Sequence, residues 1–314
     1  SLQKASTGTL VLTAANTYTG VTTVNTGGGT LAVTNDSALG TTSANTVIRA
    51  GGNLELRNVT VAETITSNGG GILVSSGAST ISGNITGFSS TPINVLDGAQ
   101  LGVTGVVTGG IGLVKDGGGT LTLTGNNTSV GATTINAGTV RVGDGGTTGT
   151  ATRGAVTVAS GANLVFDRSD SVSLSTLANN VAGITGAGNV TALIGGDFNV
   201  DRSIALNGAN SSILLEAGKN VPAGTVAGGD VTLSSNVSTS ATGTLTIFSG
   251  NATTAAYEAM VSGADGVTRY KTYGASAGDT AGAIAGTRNY YYRQQPTTLT
   301  ASGLTATKEY DGLL

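Results

Sequence analysis

An internal repeat constrains this chain more than any other feature. Gly8-Thr9-Leu10-Val11-Leu12-Thr13 returns as Gly119-Thr120-Leu121-Thr122-Leu123-Thr124. The correspondence continues without a gap: Asn16-Thr17 with Asn127-Thr128, Gly20 with Gly131, Thr22-Thr23-Val24-Asn25 with Thr133-Thr134-Ile135-Asn136, and Gly27 with Gly138. After an insertion, Gly28-Gly29, the segment Thr30-Leu31-Ala32-Val33 answers Thr139-Val140-Arg141-Val142. A shorter unit recurs more often, as strand, glycine turn, strand. Ile93-Asn94-Val95 leads through Asp97-Gly98-Ala99 to Leu101-Gly102-Val103, and Val156-Thr157-Val158 leads through Ser160-Gly161-Ala162 to Leu164-Val165-Phe166. Ile72 and Val74 lead through Gly77 to Ile81, with Thr80 in the place of the leucine, and Val47-Ile48 leads through Gly51-Gly52 to Leu54-Glu55-Leu56. The apolar residues alternate, so one face of each strand is buried. Gly51, Gly77, Gly98 and Gly161 give a spacing near 21 residues, which is the length of one solenoid coil. A single coil cannot bury its apolar face, but a stack can, with neighbouring strands ~4.8 Å apart.

Composition supports this architecture. Glycine supplies 52 of 314 residues, about 17% against an average of about 7%. With only 3 Pro and a mean hydropathy of +0.18, the chain does not read as disordered. Thr favours strands, while Gly and Asn favour tight turns, where glycine tolerates positive φ. An immunoglobulin-like array or a propeller would call for a denser aromatic core or longer repeats. There is no His, Cys or Trp, so neither imidazole nor thiolate chemistry is available. The net charge of −3 and pI of about 4.9 argue against nucleic-acid binding, which needs a basic face. No signal peptide opens the sequence and no apolar run reaches membrane-span length. The abrupt ends and the absence of cysteine suggest an internal piece of an exported protein.

The expected fold is all-β: a right-handed parallel β-helix over residues 1–250, the hand following from strand twist. A cap or junction is expected over 251–296, where Ala255–Met260 reads as a short helix. Tyr270, Tyr273 and Tyr290-Tyr291-Tyr292 concentrate there. A further β unit begins at 297–314.

Residues 119–143 and their counterpart 8–33 resemble the autotransporter-associated β-strand repeat of bacterial secreted adhesins. In this family Tyr-Thr usually occupies mid-repeat; Tyr18-Thr19 keeps it and Ser129-Val130 departs from it. Ala306-Thr307-Lys308-Glu309-Tyr310-Asp311-Gly312 resembles the start of the β domains named for their Tyr-Asp-Gly motif, which follow haemagglutinin-like solenoids. The resemblance implies surface export, a right-handed helix and an adhesive or matrix role. Its partners would be a host-cell surface, matrix polysaccharide or other bacterial cells.

Parallel β-helices also carry polysaccharide-cleaving enzymes, which need opposed carboxylates. Asp167 with Asp170, and Asp197 with Asp201 beside Arg202, are the nearest candidates. The spacing of four would place Asp197 and Asp201 on one strand face. They read more simply as solvated loop or strand ends. Gly143-Asp144-Gly145-Gly146 has the flavour of a calcium β-roll, but one Asp cannot supply six to eight oxygens, so it reads as a turn. Sequons such as Asn84-Ile85-Thr86 and Asn127-Thr128-Ser129 arise by chance in so Asn- and Thr-rich a chain. The tyrosine run reads as a hydrophobic cap ahead of a sugar-stacking surface. No catalytic, metal or cofactor site is assigned. The functional expectation is a non-catalytic stalk, with a carbohydrate-binding module or a polysaccharide-degrading enzyme as alternatives. End-to-end self-association is expected through open terminal coils.

Overall fold

In the computed structural model the described residues are 1–178, 183–222 and 229–250, together with the strands 261–262, 269–273 and 288–292. The segment Ala255–Met260 and residues 297–314, with their Tyr-Asp-Gly motif, lie outside the described residues.

Each short strand carries apolar side chains at alternate positions, and the alternation decides what is buried. Thr120–Leu123 buries Leu121 and Leu123; Thr139–Val142 buries Val140 and Val142. Every named strand pairing is parallel, and partners come from successive coils, so the chain winds as a β-solenoid. A twelve-stranded sheet runs from Thr9–Leu12 to Val261–Ser262 and an eleven-stranded sheet begins at Thr60–Val61. A five-stranded sheet from Leu2–Lys4 to Ile85–Gly87 forms the third face of the first coils. A three-stranded sheet, Val172–Ser173, Phe198–Val200 and Val231–Leu233, forms it in later ones.

Register partners measure the coil. Leu113, Thr133 and Val156 are partners at intervals of 20 and 23 residues, while Ile204 to Val237 takes 33. Down to Thr244–Ser249 the stack gives a rod on the order of 50 Å long. The interior is a set of apolar columns. One runs Leu10, Leu31, Leu54, Ile72, Ile93, Lys115, Ile135, Val158 in unbroken register. Gly51, Gly77, Gly98 and Gly161, the four turn glycines of the repeating unit, all have φ between 68° and 78°. A second glycine set answers to close approach instead. A Cβ on Gly83 would collide with the Glu63 carbonyl oxygen, one on Gly105 with Gly83, and one on Gly125 with Gly105.

Three details differ from the sequence expectation. Gly51 turns between the five- and twelve-stranded sheets, whereas Gly77, Gly98 and Gly161 turn between the twelve- and eleven-stranded sheets. The 26-residue step from Gly51 to Gly77 is therefore a coil plus part of a turn around the rod. The partner of Leu101 is Ser79, not Thr80; Ser79 is buried and its Oγ accepts the Val59 N–H at 3.3 Å. The long repeat shifts as well. Its first copy lays Thr9–Leu12 in the twelve-stranded sheet and its second lays Thr120–Leu123 in the eleven-stranded one, so the same sequence serves two corners of the rod.

Near the C-terminal end Arg288–Tyr292 pairs between Thr244–Ser249 and Arg269–Tyr273, out of chain order. Tyr290, Tyr291 and Tyr292 are all buried, and the Phe248 and Tyr291 rings stack at 4.6 Å. Tyr290 continues the interior column of Leu215 and Ile247.

Candidate functional site

Three of the acidic residues singled out from sequence, Asp167, Asp170 and Asp197, lie around the corner that follows the eleven-stranded sheet. The six-residue strand Asn163–Arg168 carries Asp167 on its outward side and turns Arg168 inward, in register with Ile194 and Ala217. Asp167 is buried and bridges Arg141, one coil before it, and Lys219, two coils after it. Arg168 is clamped on Asp170 through Nε at 2.9 Å and Nη2 at 2.7 Å, and it donates to the Gly149 carbonyl at 3.1 Å. These contacts tie together three corners within a run of four successive coils.

The second acid pair divides. Phe198–Val200 places Asp197 before the strand and Asp201 after it. Asp197 Oδ1 accepts the backbone N–H groups of Gly229 (3.0 Å) and Asp230 (2.9 Å), on the next coil. Asp201 accepts the Ser175 N–H at 2.8 Å and Oγ–H at 2.6 Å, at the start of the one-turn helix Leu174–Leu177, and Arg202 lies 3.7 Å from it. The structure brings Asp170 and Asp197, which belong to different sequence pairs, into one open cleft of about 360 Å³. Arg168, Ser171, Ser173, Thr176 and Asn199 also line it. Asp170 is engaged by Arg168 and Asp197 by backbone N–H groups.

Other sequence candidates also have local structural roles. Gly143 to Gly146 is a turn, in which Gly145 N–H donates to the Asp167 carbonyl at 3.0 Å. Asn84 and Asn127 of the sequons accept backbone N–H groups of Val106 and Val107 at 3.0 and 2.7 Å. Outward side chains form ladders, as Asn163, Asn189 and Ser212 do at 3.0 Å per step. Among the described residues no group of three or more His, Cys, Asp or Glu is placed to hold a metal ion. No described helix is long and apolar enough to cross a membrane.

Buried ionisable groups that were not singled out from sequence include Lys115, Lys4 and Glu63. Lys115 is fully buried within an isoleucine column. Its ammonium donates to the carbonyls of Asp116 (2.8 Å), Gly117 (2.6 Å) and Ala137 (3.3 Å), and burial lowers its pKa to about 8. Lys4 makes the same contact pattern in the first coil, donating to Ser6 and, at 2.7 Å, to Gly28. Both lysines stand four residues before the Gly-Thr-Leu that opens each repeat copy, so carrying the repeat four residues upstream reveals them. Glu63 is buried against the Thr46 hydroxyl beside the Tyr18–Thr22 pair, and burial raises its pKa to about 7.

A parallel solenoid built on a repeated corner lysine, with its acids engaged in the scaffold, defines a class of elongated repeat proteins. Comparison with known proteins specifies the repeat. Residues 2–56 and 113–142 match the family model of the passenger-associated-transport-repeat. Over 192 residues, 60% of the chain, it is 31% identical to the adhesin BmaC autotransporter of Brucella suis biovar 1 (strain 1330). The aligned part amounts to 5% of that relative's length. No solved structure matches the chain.

Proposed function

We propose that this chain is a non-catalytic length of stalk in a secreted bacterial surface adhesin. The observation that carries the reading is the unbroken parallel stack bearing passenger repeats at both its first coils and its middle. Likeness to a protein named as an autotransporter adhesin supports surface export and attachment; the partners proposed for it are host cells, matrix polysaccharide or other bacteria. The engagement of Asp167, Asp170, Asp197 and Asp201 by structural donors favours a scaffold over a polysaccharide-cleaving enzyme. The test is to display the chain on a non-adherent bacterium and measure attachment to host cells and to neighbouring bacteria, alongside polysaccharide turnover by the purified chain. Attachment without turnover is expected. Turnover lost on Asp170→Asn or Asp197→Asn would overturn the reading.

A further inference from the structure

Three of the four phenylalanines, Phe166, Phe198 and Phe248, are at most 2% exposed; Phe88 is 88% exposed. So exposed a ring adds little to the buried core that the other three fill. The corner holds a second anomaly. Val130, 67% exposed, stands where the first repeat copy has Thr19.

The two positions share one column of the rod. Gly110 N–H donates to the Gly87 carbonyl and Val130 N–H to the Gly109 carbonyl, so Phe88, Gly110 and Val130 occupy the same corner on three successive coils. Gly110 has no side chain, and the Phe88 ring leans toward it, with Cδ1 3.9 Å from where a Cβ would stand. The result is a notch with an aromatic wall, a backbone floor and an aliphatic wall, spanning two coil steps or roughly 9–10 Å. Beside it runs a hydroxyl ladder: Thr86, Thr108 and Thr128 share the adjacent column, with Thr128 Oγ1 donating to Thr108 Oγ1 at 2.9 Å. Ser89 and Ser90 are exposed at the rim.

We infer that this corner is a binding site for one neutral sugar ring of a glycan, seated on Phe88 over Gly110 against Val130. A pyranose offers a face of C–H bonds and a rim of hydroxyls, which matches an aromatic face flanked by threonine hydroxyls. Two exposed apolar side chains fall far short of the roughly 800 Å² per partner that a stable protein interface buries, so a protein partner does not fit. The notch carries no acidic or basic side chain of its own; the exposed Arg153 stands beside Val130 on the next coil, so a heparin hexasaccharide is the probe that separates a neutral from an anionic ligand.

This inference deepens the adhesin reading and rests on it. The test titrates the whole chain with cello-, chito- and mannohexaose, and with a heparin hexasaccharide, by isothermal calorimetry and saturation-transfer NMR. At least one neutral hexaose is expected to bind, with saturation transfer to its ring C–H protons. Phe88→Ala and Gly110→Val should each weaken it tenfold or more, while Phe88→Tyr retains it. Circular dichroism confirms that each variant is folded. No binding by any neutral hexaose, equal binding by Phe88→Ala, or binding of heparin alone would overturn the site. Attachment of displaying bacteria separates the two claims. Attachment unaffected by Phe88→Ala, with no sugar binding in solution, removes the site and leaves the adhesin reading intact. Sugar binding that depends on Phe88, without attachment to any cell, retains the site and removes the adhesin.

Discussion

Glu63→Gln should stabilise the protein above neutral pH and have little effect in acid. Glu63 is 5% exposed, and its carboxyl receives one hydroxyl, from Thr46, in place of a water shell. Removal from water outweighs that hydrogen bond and lifts the pKa from 4.5 to about 7. Because the folded-state value is the higher one, the native state holds the proton more tightly than the unfolded chain. The stability this provides is complete below pH 4.5 and is lost as pH rises through 7. The difference of about 2.5 units corresponds to about 3 kcal/mol at 1.36 kcal/mol per unit. Glutamine keeps the shape and the acceptor oxygen but never ionises. Urea denaturation followed by circular dichroism at pH 4 and pH 8.5 gives the comparison. Hydrogen exchange of the strands Thr46–Arg49 and Ile65–Asn68 localises it, since a solenoid opens in parts. Equal stability of variant and wild type at pH 8.5, or a gain confined to pH 4, would refute the reasoning.

Lys115 gives the opposite pH window. Its folded pKa, lowered to about 8, lies below the ordinary 10.5, so wild-type stability rises between pH 8 and 10.5; Lys115→Met should flatten that rise in the same denaturation experiment. Asp167→Asn leaves Arg141 and Lys219 facing each other without their shared carboxylate. It should cost about 1–3 kcal/mol, discounted because both cations are partly exposed. Gly105→Ala drives a methyl into the Gly83 carbonyl and should prevent cooperative folding of the coils around it, seen as lost exchange protection at Ile81 and Val103. Phe166→Ala empties an interior layer at a cost of about 3–5 kcal/mol by denaturation.

The alternation of Leu121 and Leu123, or of Val156 and Val158, made the strands and the coil length legible because inward positions recur every second residue. The turn glycines were legible through their backbone requirement. Which corner each unit serves was not, since corners of similar geometry accept the same sequence; Gly51 and Gly77 look alike and stand at different corners. The fate of the acids could not be read either. Asp167 meets Arg141 and Lys219 from 26 and 52 residues away, and only the coil register brings them together. The same is true of Asp170 and Asp197, which line one cleft though they are 27 residues apart in sequence. Lys4 and Lys115 were legible in principle, four residues upstream of the recognised repeat.

The central claim is that sequence-distant strands stack as successive coils of one parallel rod. Ala78 and Asn189 stand five register steps apart in the eleven-stranded sheet, and Ala78 and Thr244 seven. The chain has no cysteine, so paired Cys variants at these positions can be spin-labelled cleanly. Electron–electron dipolar spectroscopy should give backbone-level separations near 24 Å and 34 Å, growing by ~4.8 Å per coil. Equal separations for the two pairs, or a shorter one for Ala78 with Thr244, would contradict the solenoid.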